Sequence, residues 1–235
     1  MNTTQTYLET IAELIVDFPV RGVWITPNSP GTKIPSHGTR SFGEAYAIDF
    51  VMINGDDKSR KPYRSSFFRY VLKGVPLNDF YGWGQTVYSP INGQVIAVVN
   101  DIEERSNVNP FSDLQHMRKA TKEYINNHRK PETVAGNHVL IKLNENQYAL
   151  LAHLVKGSIK VVPGKTVERN QPIGQLGHSG NSTMPHLHMQ FMDSSDFSIA
   201  QGIPFVFSEY EIAESGSWKT INNSIPTTKD VVRKL

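Results

Sequence analysis

Residues 177–191 join a loop to a strand that carries two histidines. Glycine, asparagine, serine and threonine dominate this segment up to Pro185, which predicts a turn and not a helix. From His186 to Phe191, polar and apolar residues alternate as in a strand with one face on a core. Residues two apart in a strand share a face, so His186 and His188 should lie about 7 Å apart on one side. The pair offers one metal ligand and a neighbouring acid or base; the alternative is a half-exposed strand with two ordinary histidines.

The chain has no cysteine, which excludes disulfides, thiolate metal sites and cysteine nucleophiles. Any transition metal must therefore be held by histidine and carboxylate ligands. The formal net charge of +2 and the lack of a long basic run predict no nucleic-acid partner. Apolar residues make up 38% of the 235 residues, as in a soluble domain with a core.

The first apolar stretch, residues 7–18, does not read as a signal peptide. It contains Glu9, Glu13 and Asp17, whereas a signal peptide needs a basic start and an uncharged core. No segment approaches the ~18 apolar residues of a membrane span. We therefore expect no transmembrane segment and a cytoplasmic location for the chain as it stands, or a cell-wall or extracellular one if another route exports it. The sequence leaves the oligomeric state open.

A second segment with potential chemistry lies at residues 36–50. Alternation from Tyr46 to Phe50 predicts a strand, and Asp49 interrupts its otherwise apolar run. A carboxylate is costly to bury there unless it is paired, hydrogen-bonded or bound to a metal. His37 lies in the loop just before this strand. The simpler interpretations are a loop histidine and a structural hydrogen bond.

Short strands separated by glycine and proline turns fill most of the remaining chain. They predict a mainly β fold, an antiparallel arrangement similar to a sandwich or barrel. Asn92-Gly93 lies between two short strands and predicts a hairpin over residues 86–99. A further strand, residues 147–154, ends next to His153.

Helical spacing predicts two departures from the β pattern, a helix over residues 5–17 and a helical insertion at about 100–135. The insertion either forms a wall of the site or decorates a distant surface. We expect residues 1–34 to be a lead-in, 35–210 to be the main β domain and 211–235 to be a C-terminal tail.

Together these segments resemble the lysostaphin-type zinc metallopeptidases, the LytM-like peptidoglycan endopeptidases with the duplicated hybrid motif fold. The resemblance covers roughly residues 35–195. It is strongest over 136–191, where the family's motifs follow in order as Tyr-Ala-Leu-Leu-Ala-His-Leu, Gln-Pro-Ile-Gly-Gln-Leu-Gly, Ser-Gly-Asn-Ser and Pro-His-Leu-His-Met-Gln-Phe. It implies a zinc-dependent endopeptidase that cuts peptidoglycan cross-links or stem peptides.

The resemblance also assigns roles to individual residues. The family's motifs place zinc ligands on Asp49 and His188 and catalytic histidines on His153 and His186. Three protein ligands would leave the fourth zinc position to water. Of the remaining histidines, only His178, beside the loop, is expected near the substrate.

The chain departs from the family at its first zinc ligand. That histidine usually stands four residues before the aspartate, as His-x-x-x-Asp, and this position is Ala45 here. Alanine cannot bind zinc. We take His37, in a loop able to fold back, as the replacement ligand; Glu44 is the competing candidate, and loss of the metal is the third possibility.

Two other functions stay open at this point. The first is a catalytically inactive relative that binds cell-wall peptide or a partner protein, which Ala45 favours. The second is a sugar-transport phosphocarrier, since such domains are similar in fold and use paired histidines. A phosphocarrier needs no carboxylate ligand, so Asp49 argues against it.

Overall fold

The computed structural model describes residue 4 and residues 14–55, 59–125 and 134–235. Within these ranges the helices are α1 (Phe67–Lys73) and α2 (Pro110–Ile125), with 3₁₀ turns at Ser41–Tyr46 and Leu77–Asp79. The strands are β1 (Leu14–Val16), β2 (Gly22–Ile25), β3 (Ile48–Met52), β4 (Val75–Pro76), β5 (Thr86–Tyr88), β6 (Gly93–Val99), β7 (Asn107–Val108), β8 (Asn137–Asn144), β9 (Gln147–Leu154), β10 (Thr166–Val167), β11 (Pro172–Gln175), β12 (Leu187–Met192), β13 (Phe205–Glu214), β14 (Ser217–Ser224) and β15 (Val231–Lys234).

Most of the described strands join one large sheet. Its order is β1-β13-β15-β2-β3-β12-β9-β8-β6-β10, and β14 pairs with β13 off this path. Neighbours run antiparallel except β1 and β13, which are parallel. Two small ribbons, β5 with β11 and β4 with β7, complete the described pairings. The predicted mainly β fold is confirmed; the sheet is mixed, and its described strands do not close into a barrel.

Strand β12 lies in the middle of this sheet, between β3 and β9, and every one of its residues is buried. Leu187, Met189 and Phe191 pack into the main core, whose aromatic members include Phe18, Phe50, Phe205, Phe207 and Tyr210. Each such side chain contributes about 1.5–3 kcal/mol by leaving water. The strand predicted here is therefore covered on both faces, in contrast to the half-exposed strand of the simpler interpretation, and His188 is buried within it.

The prediction of a helix over residues 5–17 is wrong for the part of this segment that the structure describes. Residues 14–16 form β1, and residues 5–13 lie outside the described ranges. Leu14 and Val16 are buried while Ile15 is exposed, which is the period of a strand. The parallel partner β13 supplies backbone hydrogen bonds here, so tertiary pairing overrides the helical spacing.

The predicted C-terminal tail, residues 211–235, is instead part of the sheet. It contains the end of β13 and all of β14 and β15. Strand β15 lies between β13 and β2, with Val232 fully buried. The polar composition of this region reflects strands with one solvated face.

The predicted hairpin over residues 86–99 is also wrong, although both of its strands exist. Strand β5 pairs with β11, while β6 pairs with β8 and β10. The Ser89 N–H donates to the Gln171 carbonyl, and the Asn92 side chain accepts from the Arg169 N–H. These contacts direct the two strands into different sheets. The Asn92-Gly93 turn signal, taken alone, favoured a hairpin.

The predicted helical insertion is confirmed by α2, and α1 adds a second helix earlier in the chain. A small separate core lies in this region, formed by Tyr63, Val75, Leu77, Phe80 and Val108. Across the described residues, neither helix combines the length and the apolar character that a membrane crossing needs.

Candidate metal centre

One half of the site is built by strand pairing. Strands β12 and β3 are antiparallel neighbours whose register sets His188 directly opposite Asp49. The His188 Nδ1 atom lies 3.0 Å from Asp49 Oδ1. Because the ladder on both sides of β12 fixes its position, this contact is set by the backbone of three adjacent strands.

The other half is built by a loop. The Ser36 N–H donates to the Ala45 carbonyl at 3.1 Å, and the Ser36 hydroxyl donates to the Glu44 carbonyl at 3.2 Å. These bonds fold residues 36–45 back on themselves. As a result, His37 Nε2 lies 3.0 Å from Asp49 Oδ2, on the second oxygen of the same carboxylate.

The structure thus brings together His37, Asp49 and His188, whose ligand atoms all lie within 4.8 Å of one another. Glu44 lines the same cleft, but it is not in this group. Ala45 is buried at 3% exposure and is not part of the described cleft lining.

Hydrogen bonds fix which His188 nitrogen carries the proton. The Gln190 amide donates from Nε2 to the Phe42 carbonyl at 2.7 Å, so its Oε1 faces His188 Nε2 at 2.8 Å. Oε1 is only an acceptor, so His188 Nε2 must be the N–H. In the neutral form of His188, the lone pair is therefore on Nδ1, which faces Asp49.

The same reasoning applies to His37. Its Nδ1 lies 3.0 Å from the Ser36 hydroxyl, which already donates its hydrogen to Glu44. His37 Nδ1 is therefore the N–H, and Nε2 carries the lone pair that faces Asp49. Two acceptor nitrogens thus point at one carboxylate, an arrangement that requires a proton or a cation between them. This donor set fits Zn²⁺, and Ser36 and Gln190 supply the outer hydrogen bonds typical of zinc-binding histidines.

The electrostatics of the group agree with this donor set. Burial would raise the pKa of Asp49, but the charges of His186 and His37, with hydrogen bonds from His188 and His37, hold it well below its usual range. Burial lowers the pKa of His188, yet its hydrogen bond and charge interaction with Asp49 raise it to about 9. Without a metal the pair is ionised, so an incoming metal displaces a proton.

The two histidines with predicted catalytic roles lie beside this group. His153 Nδ1 donates to the Ser179 carbonyl at 2.9 Å, and His186 Nδ1 donates to the Met184 carbonyl at 2.8 Å. Their ring centroids are 4.7 Å apart. Both rings therefore have Nε2 as the acceptor nitrogen, and His186 Nε2 lies 3.7 Å from Asp49 Oδ1.

Both of these rings are kept neutral. Burial lowers the pKa of His153 well below its usual range, and the charges of His186 and His188 lower it further. Burial also lowers the pKa of His186, although Asp49 opposes the shift. A neutral imidazole with an unprotonated Nε2 has the lone pair that a general base needs.

A cleft of about 410 Å³ contains all five of these side chains. Helix α2 supplies Met117 and Thr121 to its lining, so of the two predicted alternatives for the insertion, the structure shows a wall of the site. The basic residues Arg118, Lys119 and Lys122 are exposed on α2 and are not part of the described lining.

One predicted contact is wrong, and three contributors were missed by sequence reasoning. His178 is fully buried, so it does not touch a substrate. Asn28 Nδ2 donates to Asp49 Oδ2 at 2.7 Å, and Ser36 and Gln190 orient the ligand histidines. Only Gln190 had a sequence signal, its place on the same strand face as His188; the other two depend on loop geometry.

Comparison with known proteins gives the class. Residues 73–198, more than half of the chain, match peptidase family M23. The match contains His153, His186 and His188 and begins after His37 and Asp49. The protein is therefore of the peptidase class; specifically, the chain belongs to peptidase family M23.

Several solved structures are similar at low identity. The catalytic domain of the antimicrobial peptidase lysostaphin from Staphylococcus simulans is 16% identical, with 86% of this chain and 95% of that chain covered and a TM-score of 0.37. The M23 metalloprotease pseudoalterin, from the deep sea, is 12% identical, with 89% and 96% covered and a TM-score of 0.41. The structure of the SpoIIQ–SpoIIIAH pore-forming complex matches at 15% identity, with 81% and 89% covered and a TM-score of 0.39.

Proposed function

We propose that this chain is a zinc-dependent endopeptidase that hydrolyses peptide bonds in peptidoglycan cross-links or stem peptides. The observation that carries the proposal is the group of His37, Asp49 and His188, with ligand atoms within 4.8 Å, beside two neutral histidines in one cleft. Family membership supports the peptidase chemistry, and the donor set supports zinc.

In this proposal His37, Asp49 and His188 hold the metal. Bound Zn²⁺ would supply Lewis-acid polarisation of a peptide carbonyl and of water. His153 and His186 line the cleft, and each has Nε2 as its unprotonated nitrogen. One of them takes the proton of the attacking water at Nε2 and returns it to the leaving amine. The other would stabilise the developing oxyanion by donating from Nε2, which requires that it first take a proton from solvent.

The lining of the cleft suits an extended peptide. Phe42, Met117 and Phe197 provide apolar walls, and no lysine or arginine occurs among its described residues. Asn181 Oδ1 is a buried acceptor without a hydrogen-bond partner among the described residues, and the Asn181 amide donates to Thr121 Oγ1 at 3.3 Å. A substrate N–H would satisfy this acceptor, and Glu44 favours an amine over an acidic group.

Peptidoglycan as substrate requires the chain to act at the cell wall. This location, like the substrate, belongs to the proposal. A peptide bond within the wall is the target that the family resemblance implies, and the absence of basic groups in the described lining argues against a polyanionic partner.

A second candidate is a catalytically inactive relative that binds wall peptide or a partner protein. Ala45 at the usual first ligand position favours it. The family match also begins after His37 and Asp49, so it gives no support for either residue as a zinc ligand.

Zinc analysis and peptidoglycan digestion distinguish the two candidates. The purified chain should retain about one zinc after dialysis, as three protein ligands predict, and release new amino termini from purified peptidoglycan. His153→Ala should slow the release by about 10²-fold or more, whereas His116→Ala, a matched histidine change on α2, should not. Binding of peptidoglycan without zinc and without cleavage would favour the inactive relative.

A further inference from the structure

Large apolar side chains are exposed on both helices. Of the nine large hydrophobic side chains that are exposed in the described ranges, five belong to α1 and α2, namely Phe67, Phe68, Leu72, Phe111 and Leu114. Phe68 is 76% exposed and Leu72 is 75% exposed, although side chains of these types are normally found in the core. Single apolar residues scattered over a surface need no explanation, but a concentration of them marks an interaction site.

The helical period places the exposed residues of α2 on its outer face. The inner face carries Asp113 and Ala120, which are buried, and Met117, which lines the cleft. Phe111 and Arg118 are seven residues apart, so they share a face, and that face lies opposite the inner one. The outer face of the insertion helix therefore begins with an apolar side chain and continues with a basic one.

Helix α1 shows the same combination. Phe68 and Leu72 are four residues apart and lie on one face of the helix. Each is followed directly by an exposed basic residue, Arg69 or Lys73. Tyr70 instead packs against the small separate core. Helix α1 therefore turns a tyrosine inward and presents two large apolar side chains and two cations to solvent.

Backbone contacts hold the two helices together. Strand β4, which follows α1, pairs with β7, which precedes α2. The Asn109 amide donates to the Val71 carbonyl at 3.3 Å, and the Asn107 amide donates to the Lys73 carbonyl at 3.0 Å. The end of α1 is therefore fixed beside the start of α2, and the exposed side chains belong to one connected part of the fold.

The charge around these side chains has one sign. Residues 59–78 contain five lysines and arginines and no aspartate or glutamate. None of these five forms an ion pair with a described residue. Helix α2 adds Arg118, Lys119 and Lys122, of which Lys119 lies 3.8 Å from Glu123. Since the whole chain has a net charge of only +2, this is a local concentration of positive charge.

We propose that the outer faces of α1 and α2 dock on a membrane surface that contains anionic phospholipids. The docking surface consists of the five exposed apolar side chains of the two helices together with Arg69, Lys73 and Arg118. Phenylalanine and leucine next to unpaired cations are the combination that binds the interface of such a bilayer. This inference goes beyond the proposed peptidase function and does not depend on it.

The same features argue against other occupants. A second copy of the chain would bring cations against cations, because a two-fold interface uses the same patch on both copies. A nucleic acid would attract the cations and stack on the phenylalanines, but it would leave Leu72 and Leu114 without an apolar partner. Docking by the outer face also leaves the inner face of α2, with Met117, on the cleft.

Vesicle sedimentation tests the proposal. The wild type should bind vesicles of equimolar phosphatidylglycerol and phosphatidylcholine better than vesicles of phosphatidylcholine alone, and salt should weaken this binding. Phe68→Ser combined with Leu72→Ser should weaken it by about tenfold or more through lost apolar burial. Arg69→Gln combined with Lys73→Gln should weaken it by about 10–30-fold at low salt.

Matched double changes outside the helices serve as controls. Val162→Ser with Ile199→Ser removes two exposed apolar side chains, and Lys160→Gln with Lys165→Gln removes two exposed cations. Both control variants should bind the anionic vesicles as the wild type does. All of these positions are exposed, so circular dichroism should show the same fold in every variant.

Insertion is read directly from Phe68→Trp in vesicles whose acyl chains are brominated. Bromine quenches a nearby indole, so this variant should lose more fluorescence on binding than the wild type does. A wild type that does not bind the anionic vesicles, or that binds them unchanged after both helix double changes, would overturn the proposal. Self-association or oligonucleotide binding that Phe68→Ser with Leu72→Ser abolishes, in the absence of vesicle binding, would overturn it in favour of that partner.

Discussion

The strand-built and loop-built halves of the candidate zinc site reach the same carboxylate by different means. His188 is held opposite Asp49 by the register of three adjacent strands. His37 reaches the other oxygen of Asp49 only because Ser36 ties its loop to residues 44 and 45. The family match contains His188 and begins after both Asp49 and His37.

The comparison teaches that a ligand is defined by where its side chain lies in space. In the strand half, register leaves a single position for the histidine. In the loop half, the candidate ligand atom is Nε2 of His37. Residue 37 lies eight residues before Ala45, the position at which the family usually has its first histidine ligand. A loop tolerates such a change because its ends stay fixed while its path varies.

The largest expected effect comes from the strand half. His188→Ala should remove stoichiometric zinc and all hydrolysis, because two protein ligands no longer complete the site. Elemental analysis measures the zinc, and circular dichroism should show that the β fold remains. Full zinc content in this variant would remove His188 from the ligand set.

The next effect separates catalysis from metal binding. His153→Ala and His186→Ala should each keep zinc but slow hydrolysis by about 10²-fold or more, as positioned acid–base groups do. Turnover of a peptidoglycan peptide at different concentrations gives kcat and KM. Wild-type turnover in either variant would contradict its catalytic role.

A smaller effect compares the outer supports of the two halves. Gln190→Leu removes the acceptor that fixes His188, and Ser36→Ala removes the one that fixes His37. Each should weaken zinc binding by about 10–100-fold, and Ser36→Ala should do so more because its hydroxyl also holds the loop. Competition with a chelator measures the affinities, with Ser208→Ala, outside the cleft, as the control. Equal affinities for wild type and Ser36→Ala would argue that the loop half contributes nothing.

The smallest expected effect on zinc comes from restoring the family's usual residue. Ala45 is 3% exposed, and Gly202 packs against it. Even a single Cβ added at Gly202 would lie only 3.3 Å from the Ala45 Cβ, so there is little room for a larger side chain at position 45. Ala45→His should lower stability by about 1–3 kcal/mol through overpacking without raising zinc affinity. Thermal unfolding and zinc titration measure both, also in the His37→Ala background. If Ala45→His restored zinc binding to His37→Ala, a histidine at position 45 would be able to reach the metal.

Sequence reasoning anticipated the parts of the molecule that depend on short-range pattern. The alternation around His188 and Asp49 predicted their strands, and helical spacing predicted α2. It was wrong where long-range pairing decides the outcome, as in β1, in the 86–99 segment and in the C-terminal strands. Ser36 and Asn28 could not be predicted because loop geometry alone brings them to Asp49.

The measurement that tests the central claim most directly is anomalous scattering at the zinc edge from crystals of the zinc-loaded protein. We predict one peak enclosed by His37, Asp49 and His188, and its loss in His37→Ala. A peak that is held by Glu44 in place of His37, or that persists unchanged in His37→Ala, would contradict the assignment of the loop half.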